Sequence, residues 1–361
     1  HQSKANLKEN SKSSLLHKLS KVNIPLIAEI GINHNGDMKL AKEMMYAAKN
    51  SGANFAKFQL YKSNTRIEKN KLTEFLHETA DGTEMSLNDI FDRSMLNNND
   101  CLDLLRYGEL IELPVFFTAF DQESAEYLNS INQKLVKVAS MDANNIPLHK
   151  KINDLDFKTI IISSGMTTFS ELQKTLSIYQ KNQEILLMSC RSSYPVRLED
   201  VDLGEIAFLK EKTSCHIGYS DHSEGNLISL LSVASGASFI ERHFTTDKSL
   251  PGPDNKISID MHETKELTQL LDQVASSLNK KRKIIHSSEQ STFSMQKKSL
   301  RFSKNANKGD IIHMDDLDFI APPSGYSAFQ SNLPRDYFIL KEDVKRGDPV
   351  TEFNIQIMED K

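Results

Sequence analysis

Polar and charged side chains recur where short apolar runs of the sequence end, and their types suit catalysis. Lysines, histidines, hydroxyl groups and carboxyl groups all occupy such positions. Three pairs are spaced two residues apart: Lys57 and Gln59, Ser220 and His222, and Glu241 and His243. Because alternate residues of a strand share a face, both members of each pair can enter one site.

The two histidines are candidate metal ligands. His222 and His243 end successive predicted strands, which lie about 4.8 Å apart in a parallel sheet. Two converging imidazoles suit a divalent metal ion that keeps water or substrate at its open positions. Two nitrogens without a thiolate or carboxylate do not close a structural zinc site, so we expect an exchangeable, catalytic metal. The alternative is two separately hydrogen-bonded histidines.

Lys57 and Lys137 each interrupt an apolar run. A buried lysine needs a carboxylate or a bound anion, so the two predict an anion-binding site. Three hydroxyl groups complete a cradle for a phosphate and a carboxylate: Ser140, Ser163 and Ser220. The alternative, internal ion pairs with Glu29 or Glu241, is expected to account for at most one lysine. A Schiff-base aldolase also uses a barrel lysine, but two lysines beside a histidine pair fit that chemistry less well.

These residues must be positioned by strands buried on both faces, because the apolar runs show little alternation. The predicted strands are Pro25–Ile30, Asn54–Leu60, Pro114–Ala119, Lys134–Ser140, Lys158–Ser164, Glu184–Cys190, Ser214–Ser220 and Ala237–His243. Eight strand–helix units over about 260 residues predict an α/β fold, a (β/α)8 TIM barrel, with its active site at the carboxyl ends of the strands. A doubly wound sheet is disfavoured, because the turn GINHNGD lacks the GxGxxG pattern.

Amphipathic stretches between the strands predict helices, each with a polar cap at its start. Clear examples are Met38–Ser51, Ser124–Ile131, Thr168–Gln180 and Asn226–Ser235, and the predicted caps include Asp37, Asn98 and Asp121. The polar stretch 63–99 is too long for a plain loop, so we expect it to fold over the barrel mouth.

The pattern changes after residue 285, where short strand-like pieces contain the turns KGD at 308–310 and RGD at 346–348. We therefore predict a flexible N-terminal arm over 1–20, a catalytic barrel over 21–285, and a linker with a small β-rich domain over 286–361.

The composition argues against several classes of protein. The chain has 361 residues and a net charge of −5, with no long basic block beyond 280–283, so nucleic acid is not expected as a partner. Three cysteines make no disulfide framework, and no apolar run is long enough to span a membrane. The first twenty residues lack the apolar centre of a signal peptide, so we expect a soluble, cytoplasmic protein.

Read in order, the strand-end residues resemble the sialic acid synthase family. The matching motifs are AEIGINHNGD, KFQ, FFTAF, KVAS followed by NNIPL, SSGM, the cysteine and YP of 190–195, GYSDHSEG and ERHFTTDKSLPGPD. The resemblance implies a TIM barrel followed by a small antifreeze-like (SAF) domain. It implies condensation of phosphoenolpyruvate with an N-acyl hexosamine such as N-acetylmannosamine, with release of phosphate. It also implies manganese or magnesium as cofactor, and a homodimer in which the small domains are exchanged.

The resemblance assigns a role to each candidate residue. By this resemblance, His222 and His243 bind the metal. The residues expected to bind phosphoenolpyruvate are Lys57, Thr118, Lys137, Ser140, Ser163 and Ser220, and Ser192 stands where the family has Asn. Gln59 and Tyr194 are expected to bind the sugar, and Glu29, Asp142 and Asp254 are expected to be the catalytic carboxylates.

The departures from the family pattern leave the sugar open. Asp142 stands where many members have Glu, and Arg191 precedes Ser192 unexpectedly. The small-domain arginine that contacts the N-acyl group is missing, since 321–324 reads APPS, and Arg335 is a candidate substitute. A legionaminic or pseudaminic acid synthase that uses a diacetamido-trideoxyhexose is therefore an alternative. From a different class, a catalytically inactive carbohydrate-binding homologue is another. The sequence leaves open the native metal and whether the hexosamine is phosphorylated.

Overall fold

The computed structural model describes residues 24–66, 68, 76–78, 82, 84–179, 183–278, 283–327 and 337–356. Contacts divide the chain into two compact units, His1–Lys280 and Lys281–Lys361. The predicted arm over 1–20 and Arg335 lie outside the described residues. Among the helices of the described ranges, none has the length and apolar content needed to cross a membrane.

The first unit contains a closed barrel of eight parallel strands, which confirms the predicted fold class. Its strands are β1 (Leu26–Gly31), β2 (Phe55–Leu60), β5 (Val115–Ala119), β6 (Leu135–Val138), β7 (Thr159–Ser163), β8 (Glu184–Cys190), β9 (His216–Asp221) and β10 (Ile240–His243). Neighbours in the barrel follow chain order, and β10 closes the ring by pairing with β1. Each predicted strand is present, with its ends shifted by three residues or fewer.

Helices connect the barrel strands and cover their outer faces. They are α1 (Met38–Asn50), α4 (Asn98–Leu110), α5 (Gln122–Ser130), α6 (Ile146–Asp154), α7 (Phe169–Leu176), α8 (Gly204–Lys212), α9 (Leu227–Ala234) and α10 (Met261–Ser277). Asp37 and Asp121 cap α1 and α5 as predicted. The prediction of Asn98 as a cap is wrong, because Asn97 and Asp100 form a reciprocal capping box that starts the helix one residue earlier.

The strands are buried on both faces, which explains their lack of alternation. One apolar cluster fills the barrel itself: Ile27, Phe55, Phe116, Ile161, Leu186, Met188 and Phe239. A larger cluster lies between the strands and the helices. The barrel is therefore a packed core and not an open channel.

The described part of segment 63–99 packs beside the barrel mouth, as predicted. It contains α2 (Ser63–Arg66), β3 (Leu76–Glu78), β4 (Glu84–Ser86) and α3 (Leu87–Ser94). Phe91 of α3 packs with Tyr61 and Phe120, which directly follow β2 and β5. The Tyr61 hydroxyl donates to the Phe91 carbonyl at 2.8 Å, so this end of the segment is fastened to the barrel.

The second unit is a small β structure with its own apolar core. After α11 (Gln290–Gln296), β11 (Ser299–Phe302) pairs with β13 (Leu317–Ile320), and β14 (Tyr337–Leu340) lies between β12 (Ile311–His313) and β15 (Ile355–Gln356). The KGD and RGD turns are related by pseudo-symmetry. The Lys308 amide donates to Asp343 and the Arg346 amide donates to Asn305, each at 2.8 Å.

Candidate active site

Lys57 and Lys137 lie at the barrel mouth, and both are ion-paired. The Lys57 ammonium contacts Glu29, lies 3.6 Å from Glu241 Oε1 and donates to Thr118 Oγ1 at 2.8 Å. Lys137 Nζ lies 3.8 Å from Glu241 Oε2. The expectation that internal ion pairs account for at most one lysine is therefore wrong. A carboxylate has two oxygens, and Glu241 uses one for each ammonium.

Burial and charge oppose each other in this lysine–carboxylate cluster. Burial lowers the pKa of Lys57 to about 7, and the Glu241 carboxylate opposes that shift. Burial alone would raise the pKa of Glu241, but Lys137 and Lys57 reverse the effect and hold it below its ordinary value. Glu29 Oε1 and Glu241 Oε2 have no hydrogen-bond partner in the described part of the chain. The cluster thus keeps unused acceptor capacity.

A small hollow lined by hydroxyl groups lies where β6, β7 and β8 end. The Gly165 amide donates to Ser140 Oγ at 3.1 Å. A Cβ at Gly165 would lie 2.5 Å from Ser192 Oγ and 2.7 Å from Ser140 Oγ, so only glycine leaves this space open. Ser192 Oγ is buried and has no partner among the described residues, and Ser163 ends β7 beside it in sequence, 2% exposed. Hydroxyl groups that can turn their protons inward suit an anion.

His222 and His243 come together as predicted, with ring centroids 5.4 Å apart. His222 Nδ1 donates to the Arg191 carbonyl at 2.9 Å, so its Nε2 carries the lone pair. His243 Nδ1 is buried without a partner in the described ranges. Burial, reinforced by His222, holds the pKa of His243 well below its ordinary value. The Tyr194 ring centroid lies 4.3 Å from that of His222.

This donor set fits a divalent metal at an open site. Among the described residues, each imidazole has one ring nitrogen without a hydrogen-bond partner, and a neutral imidazole is the form that binds metal. Within the described ranges, no group of three or more His, Cys, Asp or Glu side chains is arranged to hold an ion. Water or substrate would therefore have to supply the other ligands.

A buried ion pair that the sequence analysis missed lies directly behind the histidines. Arg242 donates to Asp221 Oδ2 at 2.9 Å, to the Gly225 carbonyl at 2.6 Å and to the Ser223 carbonyl at 2.9 Å. Ser223 and Ser229 donate to the Asp221 carboxylate at 2.7 and 2.6 Å. Each charged residue is the sequence neighbour of a histidine, so it lies on the opposite, helix-facing side of its strand. The network fixes the backbone that carries both imidazoles.

The candidate sugar residues surround a second missed residue, Arg66. Its Nη1 donates to Gln59 Oε1 at 2.8 Å. Asp254, Asp142 and Tyr194 are close enough to favour its charged form against burial, which lowers the Arg66 pKa to about 10. Arg66 lies in a polar segment that has no helical or strand periodicity. Its being an arginine is the only signal in the sequence that could have pointed to it.

Asp142 is positioned by its own loop. Asn145 Nδ2 donates to Asp142 Oδ1 at 2.8 Å, while burial raises the pKa of Asp142. His149 Nε2 donates to the Asp142 carbonyl at 2.9 Å, and its Nδ1 accepts from the Tyr179 hydroxyl at 2.7 Å. Burial lowers the pKa of His149 to about 4, so it holds this loop as a neutral imidazole.

The comparison with family models matches residues 44–283 to the NeuB family. The chain belongs to the NeuB family. A relative from Campylobacter jejuni, N,N'-diacetyllegionaminic acid synthase, is 36% identical over 84% of this chain and 92% of its own length. The human N-acetylneuraminate-9-phosphate synthase is 33% identical over 87% of this chain and 86% of its own.

A solved structure agrees with the sequence relatives. The N-acetylneuraminic acid (sialic acid) synthetase from Leptospira borgpetersenii, in complex with citrate, aligns with a TM-score of 0.66 and 34% identity. The alignment covers 75% of this chain and 90% of that one. The resemblance to sialic acid synthases is thus confirmed at the level of family and fold, and the homologues of this NeuB-family chain are nonulosonic acid synthases.

Replacing Arg242 by Met should lower the free energy of unfolding by about 3 kcal/mol, because it leaves the buried Asp221 carboxylate unpaired. Urea unfolding measures the change. The exposed pair of Arg197 with Glu199 provides the matched control, and Arg197→Met should leave the midpoint unchanged. A loss below about 1 kcal/mol in Arg242→Met would contradict the structural importance of the network.

His149 should make the NeuB-family fold sensitive to acid. Its folded pKa is about 4, below the unfolded value of 6.5, so the unfolded chain binds the proton more tightly. The stabilisation from His149 is complete above about pH 6.5 and falls by about 3 kcal/mol as the pH drops towards 4. His149→Gln should therefore lose less stability than the wild type between pH 7 and 4.5. Parallel stability curves for the two proteins would refute this assignment.

Proposed function

We propose that this NeuB-family chain condenses phosphoenolpyruvate with an N-acyl hexosamine to form a nonulosonic acid and release phosphate. The observation that carries the proposal is the shared Glu241 carboxylate. It lies 3.6 Å from the Lys57 ammonium and 3.8 Å from that of Lys137, and it precedes His243 by two residues on the same strand. Anion binding and metal binding therefore meet at one point of the barrel mouth, which suits an anionic substrate beside a polarised carbonyl.

Phosphoenolpyruvate would bind through the lysines and the hydroxyl hollow. Lys57 and Lys137 would offset its negative charge, and Thr118 already accepts from Lys57. The hollow beside Gly165 would take the phosphate, and Ser163 and Ser220, both buried, end the neighbouring strands. Donors that are fixed before the reaction stabilise developing charge without reorganisation.

His222 and His243 would hold Mn²⁺ or Mg²⁺, which when bound supplies Lewis-acid polarisation of the sugar aldehyde. The methylene carbon of phosphoenolpyruvate attacks the aldehyde carbon, and positive charge develops at the enol carbon. Glu29, whose Oε1 lacks a partner in the described residues, would stabilise that charge or orient the water that attacks there. Water adds to the enol carbon to give a tetrahedral species, whose collapse to the ketone breaks the carbon–oxygen bond and expels phosphate. The two protons of that water end on the former aldehyde oxygen and on the phosphate. Asp142 and Asp254 would orient the sugar or transfer protons.

The sugar would extend from the histidines past Tyr194 towards Gln59. N-acetylmannosamine is the first candidate, and a diacetamido-trideoxyhexose is the alternative, which the name of the Campylobacter jejuni relative supports. Exchange of antifreeze-like domains within a homodimer, and action in the cytoplasm, are parts of the same proposal.

Phosphate release from phosphoenolpyruvate tests the reaction directly. After chelation the protein should be silent with N-acetylmannosamine, and added Mn²⁺ should restore one phosphate per nonulosonate formed. His222→Ala and His243→Ala should each abolish turnover and Mn²⁺ binding measured by calorimetry, while circular dichroism stays unchanged. Release only with the diacetamido sugar would keep the chemistry and change the substrate. Silence with every hexosamine would favour the inactive carbohydrate-binding homologue.

Gly165→Ala tests the phosphate subsite. The new Cβ would occupy the hollow between Ser140 and Ser192, so KM for phosphoenolpyruvate should rise at least about tenfold while KM for the sugar changes little. Gly204→Ala is the control, because a Cβ there meets only the Asp202 side chain, at 3.1 Å. If a folded Gly165→Ala protein kept its affinity for phosphoenolpyruvate, the hollow beside Gly165 would not be the phosphate subsite.

A further inference from the structure

Arg66 is held in a cage of three aromatic rings at the barrel mouth. Its guanidinium carbon lies 4.5 Å from the ring centroid of Tyr61 and 4.0 Å from those of Phe91 and Phe120. A cation over the face of an aromatic ring is attracted by the ring quadrupole, and the attraction grows when water is excluded. The position of this guanidinium is therefore fixed by packing as well as by hydrogen bonding.

The fixed guanidinium determines which way the Gln59 amide faces. Arginine has only donors, whereas a glutamine amide has one acceptor oxygen and one donor NH₂ group. Because Arg66 Nη1 donates to Gln59 Oε1, the NH₂ group of Gln59 must face away from Arg66. It lies on the side of Gly31 and Glu29: a Cβ placed on Gly31 would lie 3.0 Å from Gln59 Nε2 and 2.7 Å from Glu29 Oε1, so both groups approach the same backbone position.

Gly31 makes this approach possible. Its φ of +57° lies in the left-handed region, and the absence of a side chain leaves room for the amide and the carboxylate beside its backbone. Glu29 Oε1 has no hydrogen-bond partner in the part of the chain that is described, so a donor on that side is electrostatically favoured. With the amide reversed, a carbonyl oxygen would face the carboxylate and Arg66 would face an NH₂ group.

We propose that Arg66 is a positioning residue for the sugar half of the site, because it holds Gln59 with its amide NH₂ group towards Glu29 and the substrate. The inference rests on the proposed function, in which Gln59 binds an oxygen of the hexosamine. The charges of Asp254 and Asp142 also favour the charged form of Arg66 against burial. The phosphoenolpyruvate side has cations of its own, Lys57 and Lys137, which are held by Glu29 and Glu241.

A simpler role would be that Arg66 only fastens α2 and α3 to the barrel. Removing it would then lower stability and damage both substrates' binding alike, independently of Gln59. The positioning role predicts a selective effect that disappears when Gln59 is absent. A double-mutant cycle separates the two.

The cycle compares the wild type with Arg66→Met, Gln59→Leu and the double variant. KM for the hexosamine, KM for phosphoenolpyruvate and kcat are read from phosphate release, and stability is read from urea unfolding. Each single variant should raise KM for the hexosamine about tenfold and leave KM for phosphoenolpyruvate within about twofold. In the double variant, KM for the hexosamine should exceed that of the more impaired single variant by no more than about twofold. Arg66→Lys, which still donates to the amide oxygen, should recover part of the loss.

Arg93→Met is the matched control. It makes the same chemical change within the same segment, at an exposed side chain, and should leave all three kinetic constants unchanged. Losses that multiply to about a hundredfold in the double variant would overturn the inference, as would equal rises in both KM values. If Arg66→Met does not fold, Arg66→Lys replaces it in the cycle. Its smaller rise in KM for the hexosamine should then disappear in the Gln59→Leu background, and a rise that persists there would overturn the inference.

Failure of the proposed function is a different result. A wild-type protein that releases no phosphate with any hexosamine overturns the reaction, and with it the role towards sugar. The free energies of unfolding of the same four proteins then still test the Arg66–Gln59 hydrogen bond. If the two substitutions have additive effects on stability, the two side chains do not interact.

Discussion

Two lysines buried at the end of a barrel must be compensated by carboxylates, and this requirement organises the rest of the site. Lys57 and Lys137 lie on different strands and share Glu241, and Glu29 supplies the second negative charge. Two carboxylates against two ammonium groups leave no net charge in the layer, which makes its burial tolerable. Below this layer, an apolar cluster packs in the barrel interior. The charged side chains of the barrel interior described above are thus gathered at the mouth.

Strand alternation places the chemistry and its support in the same short motifs. In Ser220-Asp221-His222 the outer residues turn to the mouth and the middle one turns to the helices, and Glu241-Arg242-His243 does the same on the next strand. The two middle residues meet as the buried Asp221–Arg242 pair. Consequently these two tripeptides supply both imidazoles, the carboxylate that pairs with the two lysines, and the ion pair that fixes the backbone of both strands.

The barrel and the strand-end residues could be predicted because both depend on local patterns. Apolar runs such as Ile160–Ile162 have one stable environment, and residues two apart share a face wherever the strand lies. The sharing of Glu241 could not be predicted, since it depends on which strands meet across the barrel. Asp221 and Arg242 were overlooked although their spacing to the histidines was visible. Arg66 lies in a stretch without periodicity, so its position depends on the aromatic residues it contacts.

The two halves of the mouth are built differently, and this bears on how one family uses different sugars. Lys57, Thr118 and Lys137 belong to barrel strands, whose spacing is set by backbone hydrogen bonds. Arg66, Asp142 and Asp254 follow strands and lie in connecting segments, where changes in sequence alter little of the barrel. The relatives are named for different acidic sugars. If the proposed function holds, the strand residues would bind the anion that the family shares, and the connecting segments would bind the sugar that varies. Gln59 would join the two halves, because it lies on a strand and accepts a hydrogen bond from Arg66 in a connecting segment.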